Sequence, residues 1–177
     1  MREADLSLIE PNLELAAEFV AMLEEFHAAG ETSQDALRER ACADFVGLLR
    51  EWRNEALGVN MAAGKVPMER YWLVRGGHEV LGSIHLRPRM EDDLARKIGH
   101  IGCFVRPSER CRGCATLMLR RMLRKARERG LSFVWLTCRK TNLASARAIR
   151  KGGGVLEGEF WHAEKDALFE RYRIDLE

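Results

Sequence analysis

Several things are missing from this sequence of 177 residues, and each absence excludes something. No uncharged apolar stretch reaches the ~18 residues that a membrane-spanning helix requires. The stretch Met1 to Glu10 carries Glu3, Asp5 and Glu10 and lacks a basic segment followed by an apolar run, so no ordinary secretory leader is expected there. Charge of one sign is not in excess either. Lys and Arg number 29 against 27 Asp and Glu, a formal balance of +2, so no global field attracts nucleic acid or anionic lipid. Any anion that binds must be caught by local geometry. The five cysteines are an odd number spread through helix-like and strand-like segments, unlike the even set of a short secreted disulfide scaffold. No internal repeat or low-complexity tract is visible. A reduced, soluble, cytoplasmic protein is the expectation.

What is present is globular: 46% hydrophobic and 32% charged residues, too apolar for a disordered chain. One domain over 1–177 is expected, long enough to bury about two-thirds of its unfolded surface. Asp5 to Glu10 alternates as a short strand ended by Pro11-Asn12. Leu15, Ala16, Phe19, Val20, Leu23 and Phe26 recur at three- and four-residue steps, which predicts a helix from Leu13 to Ala28 with Asn12 as its cap. A second helical pattern runs from about Asp35 to Leu57, and composition makes Gly58 to Pro67 a loop. Tyr71 to Arg75, Gly76-Gly77 and Val80 to Leu86 read as a β-hairpin with a tight glycine turn. Pro88 to Arg96 reads as a charged connector, Ile98 to Val105 as a strand, and Gly113 to Arg129 as a strongly amphipathic helix. Phe133 to Leu136 is the continuous apolar run of a strand covered on both faces. A short helix, Asn142 to Lys151, and a closing strand pair, Val155 to Lys165 and Ala167 to Leu176, complete the chain. Helices lie between strands, so the class is α/β with a mixed central sheet and helices on both faces.

The chemistry is concentrated in Val105-Arg-Pro-Ser-Glu-Arg-Cys-Arg-Gly-Cys-Ala115. A strand ends, a loop with arginines and one glycine follows, and a long helix begins. The first amides of that helix have no intrahelical acceptor and lie at its positive end. With Arg110 and Arg112 they predict a nest for a pyrophosphate, and Gly113 lets the backbone come close. The plainer alternative is a strand-to-helix turn whose arginines are merely solvated.

Arg110-x-x-Gly113-x-Ala115 resembles the Q/R-x-x-G-x-G/A acyl-CoA motif of the GNAT superfamily of N-acetyltransferases. Thr137-Cys138 followed by Asn142-x-x-Ser145 resembles the second cofactor segment of that superfamily. The element order fits as well, most tightly from Gly99 to Glu157. The nearest likeness is to a bacterial group of predicted acetyltransferases with Gly-His-Ile-Gly before the motif and Gly-Gly-Val-Leu after it. The resemblance implies a GNAT-type fold and direct transfer of an acetyl group from acetyl-CoA to a primary amine of a small molecule or peptide, with no metal. It implies that Cys103, Phe104 and Val105 offer backbone groups to the pantetheine arm. It likewise implies that Arg110, Cys111, Arg112, Gly113, Cys114 and Ala115 hold the pyrophosphate with Thr116 nearby, that Asn142 bonds the arm, and that Ser145 caps the next helix or assists.

Many superfamily members place a tyrosine acid a few residues after the asparagine; here that position is Ile149. Tyr172 is the substitute acid, and His100, Glu159 and His85 are the candidate bases. A non-catalytic acyl-CoA sensor is the alternative that the missing tyrosine leaves open. Cys111-x-x-Cys114 also admits a redox reading, but zinc lacks the two further ligands that it needs. Cys42, Cys103 and Cys138 are expected in the core. The basic run Arg120 to Arg129 is read as a solvated helix face rather than a nucleic-acid patch, some of it near the 3′-phosphate of CoA. Phe26, His27 and Trp52 are read as packing residues beside the acceptor pocket. No nucleic-acid or membrane partner is expected, and a homodimer is left open.

Overall fold

The computed structural model describes residues 3–176; Met1, Arg2 and Glu177, the ends of the expected domain and leader-free start, lie outside the described residues. Along the chain the elements are β1 (Leu6–Ile9), α1 (Ala16–Ala28), α2 (Asp35–Ala43), α3 (Phe45–Leu57), β2 (Glu69–Arg75), β3 (Glu79–Leu86), α4 (Asp92–Ile98), β4 (Ile101–Val105), α5 (Cys114–Glu128), β5 (Phe133–Arg139), α6 (Leu143–Lys151), β6 (Val155–His162) and β7 (Ala167–Asp175). The class is α/β, as expected. Among the described residues no helix is long and apolar enough to cross a membrane.

Three expectations change. The helical stretch from Asp35 to Leu57 is two helices, because Asp44 leaves helical geometry and its carboxylate accepts the Gly47 amide at 2.8 Å, starting α3 afresh. The charged connector contains α4, whose Ala95 is fully buried and whose end is set by Gly99. The first helix begins at Ala16 rather than Leu13 and has no side-chain cap; Asn12 instead holds the turn before it, accepting the Leu15 amide on Oδ1 at 3.1 Å.

The expected central sheet is parted. Its hydrogen bonding forms a four-stranded sheet in the order β1-β2-β3-β4 and a three-stranded sheet in the order β5-β7-β6, with antiparallel pairing in each. Two apolar cores fix these sheets. One packs α5 and α6, through Met118, Met122 and Ile149, on residues from both sheets, including Leu81, Ile84, Val134 and Tyr172. The other packs the N-terminal helices on the opposite face of β2 and β3, where Phe19 stacks on Trp72 with ring centroids 4.6 Å apart and Trp52 meets Phe19 edge-on. Phe26 and Trp52 belong to this second core, while His27 is exposed and bonds Asp35 at 3.0 Å.

Candidate functional site: a parted sheet leading to an uncapped helix

β4 and β5 are neighbours only at their base. His100 donates its amide to the Trp135 carbonyl at 2.7 Å, and the Trp135 amide donates back to His100 Nδ1 at 3.0 Å. Beyond this clasp β4 pairs with β3 alone and β5 with β7 alone, which leaves two facing strand edges with backbone groups to satisfy. Cys103 and Phe104 lie on this stretch of β4. Cys103 is solvent-reachable, yet atoms crowd its thiol and desolvation pushes it up to about 11, as at the bottom of a crevice. The expectation of a core cysteine holds for Cys138 and fails for Cys103 and Cys42, which are exposed because the parting of the strands uncovers one and α2 turns the other outward.

The crevice opens at the carboxyl end of β4, where α5 begins. After Val105 the chain makes a single turn, Pro107–Glu109, then passes through Cys111 at φ +60° and Gly113 at φ +86° into α5. No side chain caps α5, and its first bond is from the Leu117 amide to the Gly113 carbonyl at 3.0 Å. The amides of Cys114, Ala115 and Thr116 therefore stand at the positive end of a 15-residue helix without intrahelical acceptors. A Cβ built on Gly113 meets nothing within 4 Å, so the space in front of these amides is open. An uncapped helix start with left-handed residues before it and clear space ahead fits a pyrophosphate. Cys114 is buried and burial raises its thiol, which argues against the activated thiolate that a redox pair needs.

The loop is held from behind. Arg75 forms two hydrogen bonds to the buried Glu109 at 3.1 and 3.0 Å and also grips Glu79, while Arg112 stays largely exposed, 3.4 Å from Glu109. From α1, Glu25 accepts Arg106 at 2.6 Å and the Ser108 hydroxyl at 2.8 Å, and Glu18 accepts Arg106 at 3.1 Å. Arg110, the first motif residue, turns away from α5 onto Glu31, with bonds of 2.5 and 2.8 Å. These braces escaped the sequence reading, since the partners are far apart in the chain. Only the seven-residue spacing of Glu18 and Glu25, which puts both on one face of α1, was a signal.

On the far side of β5, Asn142 caps α6 by accepting the Ser145 amide at 3.0 Å, so the cap is Asn142, and Ser145 supplies the amide. Tyr172 is fully buried and donates its hydroxyl to Glu170; burial foremost, then that bond, pushes it up to about 12. Glu159 lies on exposed β6 and pairs with Lys140 at 2.7 Å. His100 is committed to the clasp. Three of the four residues expected to be catalytic are thus engaged with partners of their own. Ile149 lies on the buried face of α6, in the core shared with α5.

The third base candidate lies elsewhere. His85, on β3, lines a pocket of about 370 Å³ between the sheet face, α3 and the segment around Lys65, together with Ser83 and Phe104. The residue is half-buried, while Nε2 is covered and has no hydrogen-bond partner among the described residues. Burial, with Arg87 and Arg70 nearby, holds this imidazole well below its ordinary range, so it is neutral at physiological pH.

The sequence profile of the acetyltransferase (GNAT) family matches residues 23–153. No curated protein sequence matches the chain. Solved structures do. The microcin C7 self-immunity acetyltransferase MccE, in complex with acetyl-CoA and AMP, is 15% identical with a TM-score of 0.74 over 97% of this chain and 92% of that one. RimJ of Mycobacterium smegmatis, in complex with CoA-disulfide, is 18% identical with a TM-score of 0.75 over 96% of this chain and 81% of that one. An acetyltransferase of Salmonella typhimurium that modifies the N-terminal serine of ribosomal protein L7/L12 is 18% identical with a TM-score of 0.68 over 99% of this chain and 97% of that one. At such identities the likeness is one of fold.

Proposed function

The chain belongs to the acetyltransferase (GNAT) family, and from that premise we propose that it transfers the acetyl group of acetyl-CoA directly to a primary amine. One observation carries the proposal: the unpaired edge of β4 runs to the uncapped start of α5, one continuous track for an extended arm ending in a pyrophosphate. Acetyl-CoA supplies an activated thioester. In this reading the amides from Cys111 to Thr116 hold the phosphates, and Asn142, with its Nδ2 not used in the cap, bonds the arm. A β4 amide near Phe104 stabilises the developing oxyanion.

An amine with pKa ~10 is neutral about one part in a thousand at pH 7, which costs roughly 4 kcal/mol unless the site favours the neutral form. His85 is the base that suits this task, because it is neutral and borders the pocket beside β4. Its depressed pKa makes it a weak base, so its contribution is to take the proton as the nitrogen attacks the thioester and its N–H becomes more acidic. The leaving thiolate, with an ordinary pKa of about 8.5, departs without an acid, which suits a chain with Ile149 at the usual tyrosine position and Tyr172 committed to Glu170. His100 then serves as a positioning residue that closes the base of the crevice, and Glu159 has no part.

Free-thiol release from acetyl-CoA, measured over a panel of amines, tests the proposal, with mass spectrometry of the products. The expected result is amine-dependent release and a product heavier by one acetyl group. Tight binding of acetyl-CoA with no release for any amine would establish instead the sensor reading that Ile149 at the tyrosine position leaves open.

A further inference from the structure

The pocket beside β4 is electrically unbalanced. Arg40, Lys65, Arg70 and Arg87 contribute to its wall against the carboxylates of Glu51 and Glu55. Both carboxylates are already engaged. Glu51 accepts Arg40 and Lys65, while Glu55, itself buried, accepts Lys65 at 2.9 Å and Arg70 at 2.6 Å. Arg87 is left over. Among the described residues its guanidinium makes one hydrogen bond, to the Gly99 carbonyl at 3.3 Å, and no carboxylate stands within ion-pair distance.

The position of Arg87 sharpens the imbalance. The side chain is half-buried, and desolvation with the neighbouring Arg70 pushes it down to about 10 against the weaker pull of Glu55, so it remains a cation at neutral pH. A desolvated guanidinium without a counter-ion is costly, and its planar fork matches a carboxylate or phosphate. The neighbouring His85 does not neutralise it, being uncharged, and its Nε2 is an unsatisfied buried polar atom in the same wall. Phe104 of β4 also lines the pocket; it pairs with Ser83 of β3, four residues before Arg87, and lies on the proposed thioester track. A ligand that satisfies Arg87 therefore has its opposite end toward the reacting strand.

We propose that the acceptor is a small amine carrying an oxyanion, either carboxylate or phosphate, which Arg87 binds while the amino group faces β4. This rests on the acetyl-transfer reading and narrows it to a substrate class. A cavity of about 370 Å³ accommodates a metabolite-sized molecule.

Paired acceptors test the proposal: aminobutyrate against its amide, and phosphoethanolamine against ethanolamine. The wild-type protein is expected to prefer the oxyanion of at least one pair by about tenfold or more in kcat/KM, and the pair that responds identifies carboxylate or phosphate. R87M should erase the preference by raising KM for the anionic member, R87K should retain part of it, and both should bind acetyl-CoA as the wild type does. Equal use of both members of each pair, or equal loss of both in R87M, overturns the proposal. If no amine is turned over, calorimetric titration of aminobutyrate and phosphoethanolamine in the presence of CoA decides separately. Binding of either to wild type and not to R87M upholds the anion site although acetyl transfer has failed, and binding of neither overturns it.

Discussion

His85 stands over Gly102: a Cβ built on residue 102 would lie 2.7 Å from the imidazole Nε2 and 2.6 Å from Cε1. The two residues face each other across the β3–β4 pair, so the bare backbone of β4 makes room for the ring. H85Q is expected to lower kcat by about a hundredfold, the small end of general-base effects, with acetyl-CoA affinity unchanged. G102A should act in the same direction by displacing the ring. Steady-state kinetics beside CoA titration checks both, and a fall in CoA affinity equal to the fall in kcat would assign His85 to folding of the strand instead.

The depressed His85 pKa also has a consequence for stability. In the unfolded chain this histidine takes a proton near pH 6.5, while the folded protein resists it. Above that pH both states are neutral and His85 contributes no pH dependence. As the pH falls below 6.5 the unfolded state binds the extra proton and stability is lost, until the folded ring protonates as well. Thermal melts should therefore fall more steeply between about pH 7 and pH 5 for wild type than for H85Q. Parallel curves would place the ring in contact with water.

Much of this site was legible before any coordinates, and the reasons are local. The motif from Arg110 to Ala115 could be read because helix starts, glycine backbone freedom and strand ends are properties of neighbouring residues. The strand carrying Phe104 was legible for the same reason. The parting of β4 from β5 was not, since it depends on which strand edges meet, and nothing within Ile101 to Val105 reports the absence of a partner. The division at Asp44 was missed because the apolar spacing continues across it, and α4 was missed because its charged residues hide the single buried Ala95. Arg87 looked like any charged residue after a strand. Only the pairing of Glu51 with Arg40 and Lys65, and of Glu55 with Arg70 and Lys65, leaves it without a carboxylate among the described residues of that pocket.

Gly113 offers a direct test of the phosphate cradle. It sits at φ +86° with open space where a side chain would project. G113V incurs a left-handed backbone cost of about 1–2 kcal/mol and also fills the space in front of the α5 amides. Calorimetry should find CoA affinity reduced at least about a hundredfold, more than the drop in stability accounts for. G113A separates the two effects, since it carries nearly the same backbone strain with less bulk. Unchanged CoA affinity in G113V would move the cradle elsewhere.

Arg110 is held by Glu31, and that contact competes with any role at the phosphates. Both side chains are substantially exposed, so the pair itself is worth little to stability, about 0–1 kcal/mol. E31Q removes the negative charge and frees the guanidinium to turn toward α5. CoA affinity should rise several-fold in E31Q and fall in R110Q, with melting temperatures nearly unchanged in both. If E31Q binds CoA more weakly, the Glu31 contact is a support for the loop rather than a competitor.

The cysteines give a footprint of the bound cofactor without any assay of turnover. Cys42, Cys103 and Cys111 are exposed, and Cys114 and Cys138 are buried. Cys42 sits on α2, away from the proposed track, whereas Cys111 is in the phosphate loop and Cys103 is on the strand edge. Although the residue is solvent-reachable, the atoms crowding its thiol desolvate it and hold Cys103 up at about 11, so at pH 8 only about one part in a thousand is thiolate. Alkylation followed by peptide mapping should therefore find Cys42 and Cys111 modified quickly and Cys103 slowly. Saturating CoA should protect Cys111 and Cys103 and leave Cys42 as reactive as before, because only the first two lie along the track from β4 to α5. Protection of Cys42 alone, or of none of the three, would show that CoA does not follow that path.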